Sequence, residues 1–489
     1  MIYSIVENIS NFIDFINGNI LSPIMMILIL GTGIFMSFKL KFLQVTCFNQ
    51  SVNETLVPVF KSFKKKAKKK HGAVSQFQAF SAAIAGTVGT GNIVGVSTAI
   101  CLGGAGAIFW MWVSAFFGMI TNFCENVLGI YFREKNKNGE YRGGAMYYIT
   151  HGLGLKWLAI MFALFCVFAS IGYNMAQVNS ISSTMLSSFN IPLWVTGIVS
   201  LIVGLVIVGG IKRISKVASY IVPIMALAFM ILGIIIIGMH YDQIGNSFGL
   251  IFKSVFSFQS FGSGIMGYGI TRGMRYGVAR GVFSNEAGLG SSVMAHCASD
   301  VKESVKQGLW GIFEVFLDTF IICTLMALVF LCSGAYDNYI NGTISMGAPM
   351  ALWAFETNLG MLGKICFSII LPLFAFTTVL SWSFYGEKGI EYLFGERAIL
   401  PFKICYVLLT IVGATQGIDL IWNLSDMFNV LMAVPNLVAI LLLSPKIKEI
   451  VDNYLKRRKG IELYPMLSFY IDENNALIKE LEEEKLSTE

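Results

Sequence analysis

The sequence predicts an all-α integral membrane protein of about 11 transmembrane helices, and three observations carry that prediction. Of its 489 residues, 55% are hydrophobic and only 13% are charged, about half the charged share of a soluble domain. The apolar residues form continuous runs long enough to cross about 30 Å of hydrocarbon, whereas a barrel strand would alternate polarity over about ten residues. The basic residues gather in alternate loops. Together these exclude a soluble enzyme.

In chain order, residues 1–20 hold Ile5, Ile9, Phe12, Ile13 and Ile16 at helical spacing, with Glu7 and Asp14 and no basic leader. They read as an amphipathic helix in the membrane interface rather than a signal peptide. Eleven apolar stretches follow, at 21–40, 76–101, 105–132, 155–185, 192–211, 217–239, 261–296, 307–333, 363–386, 398–414 and 418–444. They are numbered here as spans one to eleven. Span seven is the most polar, since Arg272, Arg275, Arg280 and Glu286 lie in it and need partners or water.

Charge orients the chain. The loop 41–75 holds KSFKKKAKKK (61–70), with seven lysines. Loops on the same side carry Arg133, Lys135, Lys137 and Arg142, then Lys212, Arg213 and Lys216, then Lys302 and Lys306, then Lys388 and Arg397. Opposite loops are nearly free of Lys and Arg. The N-terminus is therefore expected outside, and the charged tail 445–489 in the cytoplasm. The lysine run reads as a topology determinant touching anionic lipid headgroups, not as a nucleic-acid site.

The chemistry is expected where a helix is interrupted, because unpaired backbone at membrane depth is tolerated only around a protein- or water-lined cavity. Span two contains SAAIAGTVGTGNIVGV, with glycines at 86, 89, 91 and 95. Each costs a helix about 1 kcal/mol against alanine, so the run favours local unwinding, which exposes amides to a carboxylate and carbonyls to a small cation. Tight packing of small residues is the alternative. GTVGTGN matches neither GxGxxG nor GxxxxGK[ST], so no nucleotide is expected. The nine cysteines include no CxxC pair and the four histidines no ligand pair. Neither a disulfide framework nor a zinc site is expected.

In span four, Asn174 and Gln177 sit at i and i+3 and can share one cavity, with Gln177 the expected substrate contact and Asn174 either facing the same cavity or acting as interhelical glue. In span eight, Glu314 and Asp318 are i and i+4. They suit either a proton relay or pairing with arginines of neighbouring helices, and Glu125, Asp419 and Asp426 are read in the same way. Trp110 and Trp112 read as interfacial anchors. Span seven breaks either around 283–288 or around 262–269.

Four strings together, AGTVGTGN (85–92), GGAGAIFWMWVSAFFG (103–118), GEYRGGAMYY (139–148) and YGVARGVFSNEAGLGS (276–291), resemble the alanine/glycine:cation symporter family. That family lies within the amino acid–polyamine–organocation superfamily, and the resemblance runs from about residue 20 to 445. It implies one extra N-terminal helix (21–40) and a five-plus-five inverted repeat, 76–239 and 261–444, whose discontinuous helices are spans two and seven. It implies Na⁺-coupled import of a small neutral amino acid, alanine or glycine, by alternating access in the cell membrane. Na⁺ is then the coupling ion, with no organic cofactor.

Carried over residue by residue, the amides of Gly89, Thr90 and Gly91, with Asn92 beside them, would face the substrate carboxylate. The carbonyls of Ala85, Val88 and Phe374 and the hydroxyls of Thr377 and Thr378 would hold Na⁺. Without the resemblance, those two hydroxyls read as bonded to carbonyls of their own preceding turn. Thr378 and Trp382, i and i+4, would share a face, with Trp382 walling the pocket and Phe283 against the substrate side chain. An H⁺-coupled symporter of the same fold is the alternative, and a channel is less favoured because no polar pore ring is visible.

Overall fold

The computed structural model describes residues 10–62, 73–136, 139–192, 197–256, 266–415, 418–460 and 467. The chain is an all-α membrane body. Among the described residues, eight helices are long and apolar enough to cross a membrane, and one bent pair makes a ninth. Among the described residues, each of the eleven predicted stretches contains helix. Span five is described as Gly197–Ile207. Span seven is Met266–Asn285 followed by Val293–Cys297, and its arginines keep it below the apolarity of the others.

Several elements escaped the hydropathy reading because they are short or lie outside the apolar stretches. Phe48–Ser62, Ala145–Leu153, Ile244–Phe256 and Ala335–Ile340 are helices in expected loops. A two-stranded ribbon pairs Glu134–Lys135 with Tyr141–Arg142. The helix of span nine runs over Ala348–Phe394, longer than the 363–386 expected, with a sharp bend at Gly360 (φ 61°, ψ −147°) that makes it two helices in series. The expected interfacial segment 1–20 lies outside the described residues up to 9. From Ser10 it is continuous with span one as Ser10–Lys39, passing through a π-helical turn at Asn17–Leu21. The lysine run beyond 62 and the tail beyond 460, residue 467 apart, lie outside the described residues.

Among the described residues, spans two and seven are broken in mid-body. Span two starts on a capping box, in which Ser75 Oγ accepts from the Gln78 amide and Gln78 Oε1 accepts from the Ser75 amide, both at 3.2 Å. It runs as Gln76–Thr87, breaks, and resumes as Val94–Gly103, with a 54° bend. Span seven breaks after Asn285, the first of its two predicted places. Glu286 adopts φ 56°, Gly288 φ 92° and Gly290 φ 72°, the left-handed region that side chains avoid. The pieces cross head to tail: Gln76–Thr87 packs on Val293–Cys297, and Val94–Gly103 packs on Met266–Asn285. The two breaks therefore meet in the middle of the body, as an inverted repeat demands.

Candidate functional site

At the first break the backbone leaves its helical partners. The Gly89 amide donates to Asn92 Oδ1 at 2.9 Å, and the Thr90 amide to Gln177 Oε1 at 3.3 Å. In an unbroken helix these amides would serve the carbonyls of Ala85 and Gly86, so both carbonyls lose their donors. Among the described residues none accepts from the Gly91 amide, and the Thr90 hydroxyl is buried without a partner. Gly89 is needed for close approach: a Cβ there would lie 2.3 Å from Thr378 Oγ1 and 3.5 Å from Gln177 Nε2. Spans two, four and nine are thus drawn together on one glycine.

Asn92 ties the first break to span eight. Its amide donates to Asp318 Oδ1 at 2.6 Å, while Ser284 and Thr319 hydroxyls donate to Asp318 Oδ2, each at 2.9 Å. Asp318 lies in a π-helical stretch, Phe316–Cys323, a distortion that frees backbone groups and recurs at functional sites. Gly91 faces the ring edge of Phe283, where a Cβ would come within 3.2 Å. Asn92 and Ser284, from the two breaks, so share one carboxylate.

The second break is held by acids. Glu286 Oε1 accepts from Trp382 Nε1 at 2.8 Å and Oε2 from Ser291 Oγ at 2.6 Å. Glu125 Oε1 accepts from the Gly290 amide at 3.1 Å and from Asn436 Nδ2 at 2.5 Å. Trp382 is fully buried and stacks on Tyr173 with ring centroids 3.7 Å apart; Tyr173 stacks on Phe283 at 4.6 Å, and Phe283 meets Trp422 at 5.2 Å. The Tyr173 hydroxyl donates to the Phe283 carbonyl at 3.2 Å. This stack is a wall of flat side chains beside the first break.

Above it opens a cavity of about 710 Å³ on the face that holds Ser10, Leu102 and Gly347, lined also by Arg275, Phe283 and Trp422. Its edge carries the ion pair Arg280–Asp426, at 2.6 Å. The opposite face is pinned. Arg133 donates to the carbonyls of Cys297 (3.1 Å), Ser299 (2.7 Å) and Val301, Val74 bridges Ala298 and Asp300, and Arg457 pairs with Glu303 at 2.6 Å.

Of the residues read from sequence, Gly89, Thr90, Gly91, Asn92, Gln177, Phe283 and Thr378 converge on the first break. Trp382 stands in the aromatic wall, with its indole turned to Glu286. The hydroxyls of Thr377 and Thr378 both donate to the Phe374 carbonyl, at 3.0 and 3.1 Å; Ala85 and Val88 lie at the end of the helix that Gly89 closes. Of the two roles open to Asn174 the structure takes the interhelical one: it donates to the Tyr406 carbonyl at 2.8 Å and joins span four to span ten. Trp112 is no free anchor, since Nε1 donates to Thr324 Oγ1 at 2.8 Å. Arginine pairing holds for Asp426 but fails for Glu314 and Asp318, which meet His296 and neutral donors instead; the side chain of Asp419 lies outside the described residues. Tyr173, Ser284 and Trp422 were missed. Tyr173 is four residues before Gln177 and so on its face, a signal the sequence did contain.

The model of the sodium:alanine symporter family matches residues 6–465. The sodium/alanine symporter AgcS of Methanococcus maripaludis is 41% identical over 443 residues, covering 89% of this chain and 94% of that protein. An uncharacterized transporter of Haemophilus influenzae is 41% identical over 460 residues, covering 93% and 97%. Among solved structures, MhsT in complex with L-phenylalanine superposes with a TM-score of 0.54 at 14% identity, covering 77% of this chain and 90% of that one, a likeness of fold.

Proposed function

The chain belongs to the sodium:alanine symporter family, and on that premise we propose that it imports alanine or glycine with Na⁺ across the cell membrane by alternating access. The observation that carries this reading is the first break: redirected amides, donor-less carbonyls and a free Gly91 amide around one glycine, with Thr378 and Gln177 against it. A carboxylate is recognised by amides, and Na⁺ by carbonyl and hydroxyl oxygens.

In this reading Gly89, Thr90 and Gly91 receive the substrate carboxylate, with Asn92 holding the turn. Gln177 gives up its bond to the Thr90 amide and turns to the amino acid. Na⁺ sits among the carbonyls of Ala85, Val88 and Phe374 and the hydroxyls of Thr377 and Thr378. The Thr hydroxyls, which donate to Phe374, turn their lone pairs to the ion. Na⁺ then steadies the unwound helix, so that ion and amino acid raise each other's affinity. Phe283, Tyr173 and Trp382 limit the side chain to a small one. Such crowding discriminates by about 1–3 kcal/mol per methylene, so serine is admitted weakly. The cavity over Phe283 is the entry, on the face that the loop charges put outside.

The test is uptake of radiolabelled alanine into proteoliposomes, with and without an inward Na⁺ gradient at matched pH. Concentrative uptake that requires Na⁺ is expected. Uptake that ignores Na⁺ and follows an imposed pH gradient would move the coupling to protons, and none under either gradient would remove alanine as substrate.

A further inference from the structure

Four carboxyl groups are wholly buried around the second break and below it: Glu125, Glu286, Glu314 and Asp318. Their partners are amides, hydroxyls, an indole and an imidazole; among the described residues no lysine or arginine pairs with any of them. The nearby Arg133 guanidinium is occupied by carbonyls. Burial in a low-dielectric interior opposes ionising four such groups together, and their like charges add to that opposition.

Glu314 alone of the four is bonded to another titratable side chain. Its Oε2 lies 2.7 Å from His296 Nε2, both residues fully buried. Its Oε1 is buried and has no partner. The orientation of the Gln307 amide in the structure favours one state of the ring. Gln307 Oε1 accepts from Ser299 Oγ and Gln76 Nε2, each at 3.4 Å, so Nε2 is the atom 2.6 Å from His296 Nδ1. Nδ1 then accepts, and the ring is neutral with its single N–H on Nε2, donated to Glu314. With Glu314 ionised the pair carries a net negative charge; a proton on the orphan Oε1, with Ser292 beside the carboxyl, neutralises it.

The site also joins two separate elements. His296 is on the second piece of span seven (Val293–Cys297), Gln307 and Glu314 are on the first part of span eight (Ser304–Val315), and the π-helical stretch begins two residues on. The titratable groups facing it are Glu125 from span three, Glu286 from the break, Asp318 from span eight and Tyr385 from span nine. Span two contributes neutral Gln76.

We propose that Glu314, seated on His296, is a proton-binding site that latches the pinned face: with the proton bound the second piece of span seven stays hydrogen-bonded to span eight through His296 as seen here, and release of the proton to entering water favours its parting. The sign follows from charge. An ionised Glu314 adds a like charge to a buried acid cluster, and water admitted by opening relieves it, so low pH favours the closed face and high pH the open one.

The test has two readouts on the full-length protein. In proteoliposomes at equal pH on both sides and saturating Na⁺, wild-type alanine exchange should fall about tenfold between about pH 8 and about pH 5.5, as one proton binds. Glu314→Gln, permanently neutral, should be slow and flat across that range. His296→Gln should keep a pH dependence with a displaced midpoint. In detergent at about pH 8, deuterium exchange of amides 291–303 should be slower in Glu314→Gln than in wild type. That readout needs no amino acid, so it decides the latch even if alanine is not the substrate. A wild-type profile in Glu314→Gln, unchanged exchange of 291–303, or a pH dependence lost in His296→Gln but kept in Glu314→Gln would each overturn the proposal.

Discussion

The two helix breaks are built by opposite means. The first is opened by small residues and held by neutral groups: Asn92, Gln177 and the hydroxyl of Thr378 meet the backbone around Gly89. The second is opened by left-handed backbone at Glu286, Gly288 and Gly290, and held by the carboxylates of Glu286 and Glu125. A break held by neutral dipoles leaves its amides and carbonyls free to meet ions and zwitterions. One held by buried acids has the Trp382, Ser291 and Gly290 donors already engaged by those acids and suits a structural pivot. They touch at Gly86, where a Cβ would lie 2.7 Å from the Tyr385 hydroxyl and 3.2 Å from Glu286 Oε1.

The comparison breaks most sharply at Gly89. Gly89→Ala should reduce Na⁺-dependent alanine uptake by about a hundredfold or more, because the methyl displaces Thr378 from the break and misplaced contacts cost about two orders of magnitude. The backbone itself is not strained there, since its φ is −135°. Near-normal uptake would mean that Thr378 does not need to approach the first break.

At the second break, Glu286→Ala should act through stability. It leaves the Trp382 indole and Ser291 hydroxyl without their acceptor, a loss of about 2–4 kcal/mol, read as a lowered unfolding midpoint of the purified protein. Glu286→Gln, which can still accept from Trp382, should recover most of it. If both variants are as stable as wild type, the second break is not held by this carboxylate.

Two substitutions should then separate the amino acid from the ion within the first break. Gln177→Ala should raise the alanine concentration for half-maximal uptake about tenfold with the Na⁺ requirement kept. Thr377→Ala should raise the Na⁺ requirement several-fold with substrate preference kept. Reversed phenotypes in crossed uptake titrations would exchange the two assignments. The smallest effect is expected outside both breaks: Asn174→Ala, losing its bonds to Tyr406 and Thr410 of span ten, should cost about 0.6 kcal/mol of stability per bond and leave both requirements unchanged. A lost Na⁺ or alanine dependence in that variant would extend the site to span ten.

The first break was legible because composition marks it. Four glycines with Thr87, Thr90 and Asn92 between them cannot make a comfortable helix, and no context changes that. The second was legible only as a choice between two places, because SNEAGLG opens through the φ of Glu286, a residue with no preference for that conformation. Asn174 and Gln177 show the limit of spacing. Three residues apart, they point 300° around a helix from one another, close enough to share a face, yet one meets span ten and the other the break. Tyr173 joins the aromatic wall through partners more than a hundred residues away.

By itself the sequence determined the membrane class, where the apolar spans fall and the weakness of span two, since these follow from local chain properties: hydropathy against the thickness of a bilayer, and glycine against helix propensity. The tertiary structure decided which acids meet which donors, because a buried carboxylate takes whatever group the neighbouring helices present. That is why Glu314 finds His296 rather than an arginine, and why Asn92 of the first break and Ser284 of the second converge on Asp318.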